Sequence, residues 1–209
     1  QFLLTGSGSH CRAAIGMTNY ELKGTAYVGH QALLQFWGVN NVPTTLMGGT
    51  LVIEQAGVST VGDNRIINRQ GIIAGTGSIT GRVQNAGGWI RPGGEKRAGR
   101  IEHVGDFQNA LEETGGIIEI ELGGKREDAS DRLEVVGTLN AGGVLEVHLL
   151  GDFSPSYNDT FDILDFTMCQ GTFDEVRLPG QNCDWDLSDL YTSGLIRCIR
   201  SVGTLLMIR

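Results

Sequence analysis

The sequence predicts an all-β fold, a β-solenoid in which short strands wind and stack in register. Three observations predict it. Residues 75–94, GTGSITGRVQNAGGWIRPGG, alternate apolar pairs with Gly, Asn and Thr, and the same rhythm continues beyond them. The segments at 78–80, 82–84 and 89–91 each leave room for one or two inward side chains before a glycine turns the chain. They are too short to stand alone as hairpins and too tightly spaced for helices, whereas stacking satisfies both limits. Finally, 32 glycines stand beside only 4 prolines, which excludes collagen and supplies many tight turns.

Taken in order, residues 1–47 are the least regular and read as an N-terminal cap or irregular first coils. Residues 5–9 form a loop, 20–28 an alternating strand, and 31–37 (QALLQFW) either a helical turn or a buried strand. From 48 to 209 the chain reads as the solenoid proper, continuous with the first part in a single domain. Residues 49–54 make a strand, followed by a turn at 62–64 where Asp63 and Asn64 suit left-handed backbone. In GGIIEIELGG, Ile118, Ile120 and Leu122 point inward and Glu119 and Glu121 outward. The same alternation places Leu133 and Val135 opposite Arg132 and Glu134, then Leu145, Val147 and Leu149 opposite Glu146 and His148. Residues 161–166 are apolar on both faces, so something must cover their outer side. Residues 195–209 read as two further strands. At roughly 20 residues per coil, about ten coils would make a rod on the order of 50 Å long.

A net charge of -8 argues against nucleic acid or an anionic membrane as partner. No apolar run approaches the length of a membrane helix. The opening Gln1, Phe2, Leu3 and Leu4 lack the charged start of a signal peptide, so the chain reads as the product of leader removal or as a fragment. The four cysteines, Cys11, Cys169, Cys183 and Cys198, have no zinc-type spacing and read as disulfide partners. Three pairings are open. The preferred one closes a local loop between Cys169 and Cys183 and leaves Cys11 and Cys198 to join the two ends.

Acidic groups at Asp128 and Asp131, at Asp159, Asp162 and Asp165, and at Asp184, Asp186 and Asp189 invite comparison with calcium sites. Turn capping is the expected role. Asp184 and Asp186 are the best candidates for Ca2+, and no other cofactor is expected. Glu119, Glu121, Glu134 and Glu146 could form a carboxylate ladder of the kind a glycosidase uses, or a solubilising face. His10, His30, His103 and His148 are isolated in sequence. Trp37, Trp89 and Trp185 could stack on sugars but suit a core or cap better.

The motifs GTGSITGRVQNAGGWIRPGG, Gly105-Asp106-Phe107, GGIIEIELGG, DRLEVVGTLNAGGVLEV, NDTFDILDF and GTFDEVRLP follow one another between residues 48 and 191. As an ordered set they resemble the autotransporter-associated β-strand repeats of bacterial extracellular proteins. The resemblance implies a right-handed parallel β-helix outside the cytoplasm, with adhesive, structural or surface-display roles, and it carries over no active-site residue. The cysteines depart from that pattern, as does an ending at Arg209 with no recognisable anchor. Together they suggest a self-contained secreted unit.

The expected function is therefore that of a non-enzymatic structural protein at the cell surface, a filament subunit or adhesive stalk. Phe2, Leu3 and Leu4 at one end and Leu205, Leu206 and Ile208 at the other are the expected surfaces for head-to-tail self-assembly. A cell-surface polysaccharide is the second candidate partner. The alternative is a carbohydrate-binding or carbohydrate-cleaving β-helix.

Overall fold

A computed structural model describes residues 49–61, 65–111, 114–180 and 183–199, and before these the backbone of the strands between residues 2 and 47. The fold is all-β with parallel sheets. Strands arrive in threes: β1 (Phe2–Thr5), β2 (Arg12–Met17) and β3 (Tyr20–Leu22), then β4 (Thr25–Gly29), β5 (Leu33–Gly38) and β6 (Thr44–Met47). Next come β7 (Thr50–Glu54), β8 (Gly57–Val61) and β9 (Arg65–Arg69), then β10 (Ile72–Gly75), β11 (Ser78–Thr80) and β12 (Arg82–Asn85). The fifth set is β13 (Trp89–Pro92), β14 (Arg100–Val104) and β15 (Phe107–Gln108). A small antiparallel hairpin, β16 (Ala110–Leu111) with β17 (Thr114–Gly115), leads into β18 (Ile117–Leu122). After a 3-10 turn at Glu127–Ala129 follow β19 (Arg132–Asn140), β20 (Val144–Leu149), β21 (Thr160–Asp162), β22 (Leu164–Gln170) and β23 (Glu175–Arg177). The C-terminal part adds β24 (Asp184–Asp186), the short helix α1 (Leu190–Ser193) and β25 (Leu195–Ile199).

Each early strand pairs with the third one after it. One parallel sheet of 8 strands runs β1-β4-β7-β10-β13-β18-β20-β23. Two other columns, β2-β5-β8-β11-β14 and β3-β6-β9-β12-β15, both end on β19, whose nine residues serve the two together, and β22 lies on β19. The region before residue 48 takes part in the same sheets. Its six strands continue the same sheets in register, and residues 33–38 are strand.

Stacking in register converts period-2 alternation into inward columns of like side chains. One column is Leu51, Ile73, Ile90, Ile118 and Leu145. A second is Val58, Ile79, His103, Val135 and Phe166. The third is Ile66, Val83, Phe107, Leu139 and Cys169. The aliphatic members of these columns up to β20 are almost fully buried and form one continuous core.

At the corner after the third column runs a buried polar ladder. Asn68 Nδ2 donates to Asn85 Oδ1 (2.9 Å), Asn85 Nδ2 to Asn109 Oδ1 (2.8 Å), and Asn109 Nδ2 to the carbonyl of Gly142 (2.7 Å). All three asparagines are fully buried. Side bonds reach the carbonyls of Trp89, Ile117 and Gly116, so the amides satisfy turn carbonyls that water cannot reach. The ladder also explains the glycines that follow it. A Cβ on Gly88 would lie 2.3 Å from the Asn68 amide, and one on Gly116 2.1 Å from Asn85 Nδ2.

Among the described residues the parallel sheet that begins at β1 has eight strands where about ten coils were expected, because the stretches between strands are unequal. Successive asparagine rungs are 17 and then 24 residues apart, and the hairpin β16–β17 and the turn at 123–131 lengthen the later ones. The doubly apolar stretch at 161–166 has the cover expected of it. β25 pairs antiparallel with β21, β24 pairs with β25, and α1 packs on β22. Phe161, Ile163 and Leu164 are buried beneath them.

Candidate functional site

Titratable groups concentrate on the outer face of the eight-stranded sheet, around β13, β18 and β20. Alternation along IIEIEL sends Glu119 outward, and register stacks it directly on Glu146. Adjacent strands hold such carboxylates about 5 Å apart, the separation used by retaining glycosidases. Here each is neutralised from its other side. Arg91 reaches Glu119 at 2.9 Å, and Arg177 reaches Glu146 at 3.7 Å from the following strand. The column thus reads Arg–Glu–Glu–Arg, with His148 Nε2 3.6 Å from Glu146 and the Arg91 guanidinium 5.9 Å from the Trp89 ring centre. On the second sheet Glu134 is paired with Arg100, and Arg132 serves Asp162 at 2.7 Å and Asp165 at 3.8 Å. The outward carboxylates act as ties between neighbouring strands.

Glu121 departs from the alternation. It is buried, because the loop after β13 folds over it and the Arg97 amide donates to its Oε2 at 3.0 Å. Arg97 itself is anchored to Glu54 at 2.6 Å and to the Gly93 carbonyl at 3.1 Å. Beside Glu121 lies Asp131, only 1% exposed. Its carboxyl accepts N–H bonds from Gly99 (2.8 Å) and Glu121 (2.9 Å), joining the loop, β18 and the start of β19. Burial pushes Asp131 up to about 8; the two N–H bonds oppose this, and the charges of Glu121 and Glu119 add to it. A protonated acid beside a carboxylate is the raw material of general acid–base chemistry. An open cleft of about 650 Å3, lined by Gly99, Arg100, Arg126, Glu127, Asp128 and Ser130, lies next to it. Both Asp131 oxygens are taken up by backbone amides, however, so the group clamps the loop after β13 to β18, and it is almost wholly buried from the cleft.

The other sequence candidates are distributed as follows. Asp184 and Asp186 share a face of β24. Asp186 accepts the Ser188 amide at 3.0 Å, and the Ser188 hydrogen bonds hold its carboxyl below the usual range. Among the described residues no three His, Cys, Asp or Glu side chains converge as a metal-binding set, so this pair gains no third ligand. Asp159 is paired with Lys125 at 2.6 Å. Trp185 packs on Phe161 and donates to the Pro179 carbonyl at 2.9 Å, so it is committed to the cap.

The preferred bridge between Cys169 and Cys183 is absent: Cys169, Cys183 and Cys198 are free thiols. The reason is positional. Cys169 occupies an inward column position against Leu139, and burial raises its thiol pKa, whereas Cys183 lies in the C-terminal ribbon beside Cys198. Of the expected assembly residues, Phe2, Leu3 and Leu4 lie on β1, at the outer edge of the eight-stranded sheet. Cys11, Leu205, Leu206 and Ile208 lie outside the described residues.

Two buried polar features escaped the sequence reading. The asparagine ladder had a partial signal, the Asn-x-x-Gly of Asn68 to Gly71 and Asn85 to Gly88; the third rung, Asn109, lacks it, and Asn140 to Gly143 carries it without being a rung. His103 had a weaker one: alternation in RIEHV puts it on the face of Ile101, and register then sets it between Ile79 and Val135. It is 1% exposed, neither ring nitrogen has a hydrogen-bond partner among the described residues, and its ring meets Phe107 edge-on at 5.5 Å. Burial lowers it to about 4, against weaker pulls from the Gly81 and Gly105 backbone and from Asp106.

No family model, no curated protein and no solved structure matches this chain.

Proposed function

We propose that the chain winds as one right-handed β-solenoid of the kind its motifs resemble, and that it serves as a non-enzymatic structural element at the cell surface. The buried asparagine ladder carries this reading. It runs along the stacking direction and ties consecutive turns of chain to one another, which suits a body whose task is to hold its length. The right hand follows from the strong preference of parallel crossovers for it. The outward carboxylates support a structural use, because Glu119, Glu134 and Glu146 are each engaged by an arginine of a neighbouring strand. Assembly with further coils belongs to the edge formed by β1, β2 and β3. There a second copy, or a longer chain, can add its strands to the parallel sheets. At the opposite side β25 and α1 lie over β21 and β22, which favours a capped stalk over an endless fibre.

Electron microscopy of the purified chain over a range of concentrations tests this. Rods with about 35 Å between the first and last strands, from eight strands at the usual spacing, are expected. Pairs or short strings joined at one end are expected at high concentration. Compact globular particles would refute the winding, and release of sugars from a polysaccharide panel would refute the non-enzymatic reading.

A further inference from the structure

The C-terminal ribbon brings two thiols together. Antiparallel pairing sets Trp185 opposite Cys198 and Asp184 opposite Ile199. Cys183, one residue before β24, projects to the same side as Trp185, and so falls diagonally beside Cys198. Both side chains are buried, at 5% and 1% exposure. Burial, and next the hydrogen bond with the Cys198 thiol, push the Cys183 thiol up to about 12. Because Cys183 precedes the paired strand, its backbone can adjust to the closer approach a disulfide needs. The Cys198 backbone is fixed. Its carbonyl accepts from the Asn158 amide and its amide donates to the Asp159 carbonyl, both at 2.8 Å.

We propose that Cys183 and Cys198 form a disulfide that locks the β24–β25 ribbon over β21 and the last turn of the chain. The oxidant is a small-molecule disulfide such as oxidised glutathione. One cysteine thiolate attacks it, breaking the reagent's S–S bond, releasing one thiol and leaving a mixed disulfide. The second cysteine thiolate then displaces the other thiol. Two cysteine thiols are oxidised, the reagent is reduced to two thiols, and the cysteine protons pass to the departing thiolates. The first step takes place while the ribbon is open, since neither thiol faces solvent when docked. Docking then delivers the second thiol and closes the bond. Cys169 does not compete, because it is held in the core column against Leu139.

The test uses the full chain, refolded from reductant into a glutathione redox buffer, alkylated and mapped by peptide mass. The expected product links the Cys183 and Cys198 peptides. The link should persist in Cys169→Ser and vanish in Cys183→Ser and in Cys198→Ser. Amide exchange within β24 and β25 should slow by about 100-fold between the reduced and oxidised chain, the usual worth of one disulfide. A bridge from Cys169 to Cys183, a bridge from Cys11 to Cys198, or complete alkylation of Cys183 and Cys198 after refolding would each overturn the proposal. The mapping of the native sequence decides the matter even if the serine variants fail to fold.

Discussion

Replacing Asn85 by leucine should be among the most damaging single changes in the core. Asn85 accepts from Asn68 Nδ2 at 2.9 Å and donates to Asn109 Oδ1 at 2.8 Å and to the Ile117 carbonyl at 3.3 Å. Leucine keeps the volume but leaves one N–H of Asn68 and the oxygen of Asn109 without partners in a region closed to water. Each orphaned buried group costs about 1–3 kcal/mol, so the variant should lose about 4 kcal/mol. For a chain of this size that corresponds to a melting point about 8–16 °C lower. Urea titration followed by circular dichroism measures the loss directly, with an unchanged slope showing that the unfolding unit is the same. Converting Asn68, Asn85 and Asn109 to leucine together removes donors and acceptors in pairs, so the triple variant should cost less than the sum of the three single ones. A cost for Asn85→Leu below about 1 kcal/mol, or strict additivity in the triple, would refute the ladder as a cooperative unit.

Gly116→Ala should strike the same unit from outside, since its Cβ would lie 2.1 Å from Asn85 Nδ2; a loss of about 1–3 kcal/mol in the same titration is expected. His103 is lowered to about 4 in the folded chain, so its contribution to stability is intact above its unfolded value near 6.5 and is lost as pH falls toward 4. The loss amounts to about 3 kcal/mol; between pH 4 and 6.5 it offsets the opposite slope of Asp131, so His103→Leu should expose a stability that falls as pH rises through that range. Asp131 runs the other way. With its folded value raised to about 8, the stability it confers is complete below an unfolded value near 3.9 and declines as pH rises to about 8. Near pH 7.5, where His103 is almost wholly neutral in both states, the decline should be about 1 kcal/mol per pH unit, and Asp131→Asn should flatten it at some cost from one unpaired backbone amide.

The strands were legible where alternation and glycine spacing agreed. Residues 49–54 and GGIIEIELGG lie in strands close to where the pattern puts them, with Ile118 and Ile120 buried as read. Glu121 was misplaced because a strand's pattern cannot report a loop, here residues 93–99, that folds over its outer face. Cys169 was misassigned to a bridge for a related reason. In a stacked fold a residue's neighbours are those in register on the adjacent strand, and unequal turns hide that register from sequence spacing. Residues 195–199 were read correctly as strand, but their antiparallel pairing with β21 and β24 depends on a fold-back that no periodic signal encodes.

The uneven width of the parallel pairings sets where the molecule gives way under tension. A pull along the stacking direction loads the hydrogen bonds between successive strands in series, and rupture begins at the narrowest seam. β18 and β20 meet over the whole length from Ile117 to Leu122, whereas β13 meets β18 only at Trp89 and Ile90, and β12 meets β15 only at Val83 and Gln84. These are two successive seams, and side chains bridge each: Asn85 to Asn109 and Gln84 to Gln108 across the one between β12 and β15, Arg91 to Glu119 across the one between β13 and β18. Under tension those three side-chain bridges share the load with the few backbone pairs of each seam, and removing them should lower the force at which it opens.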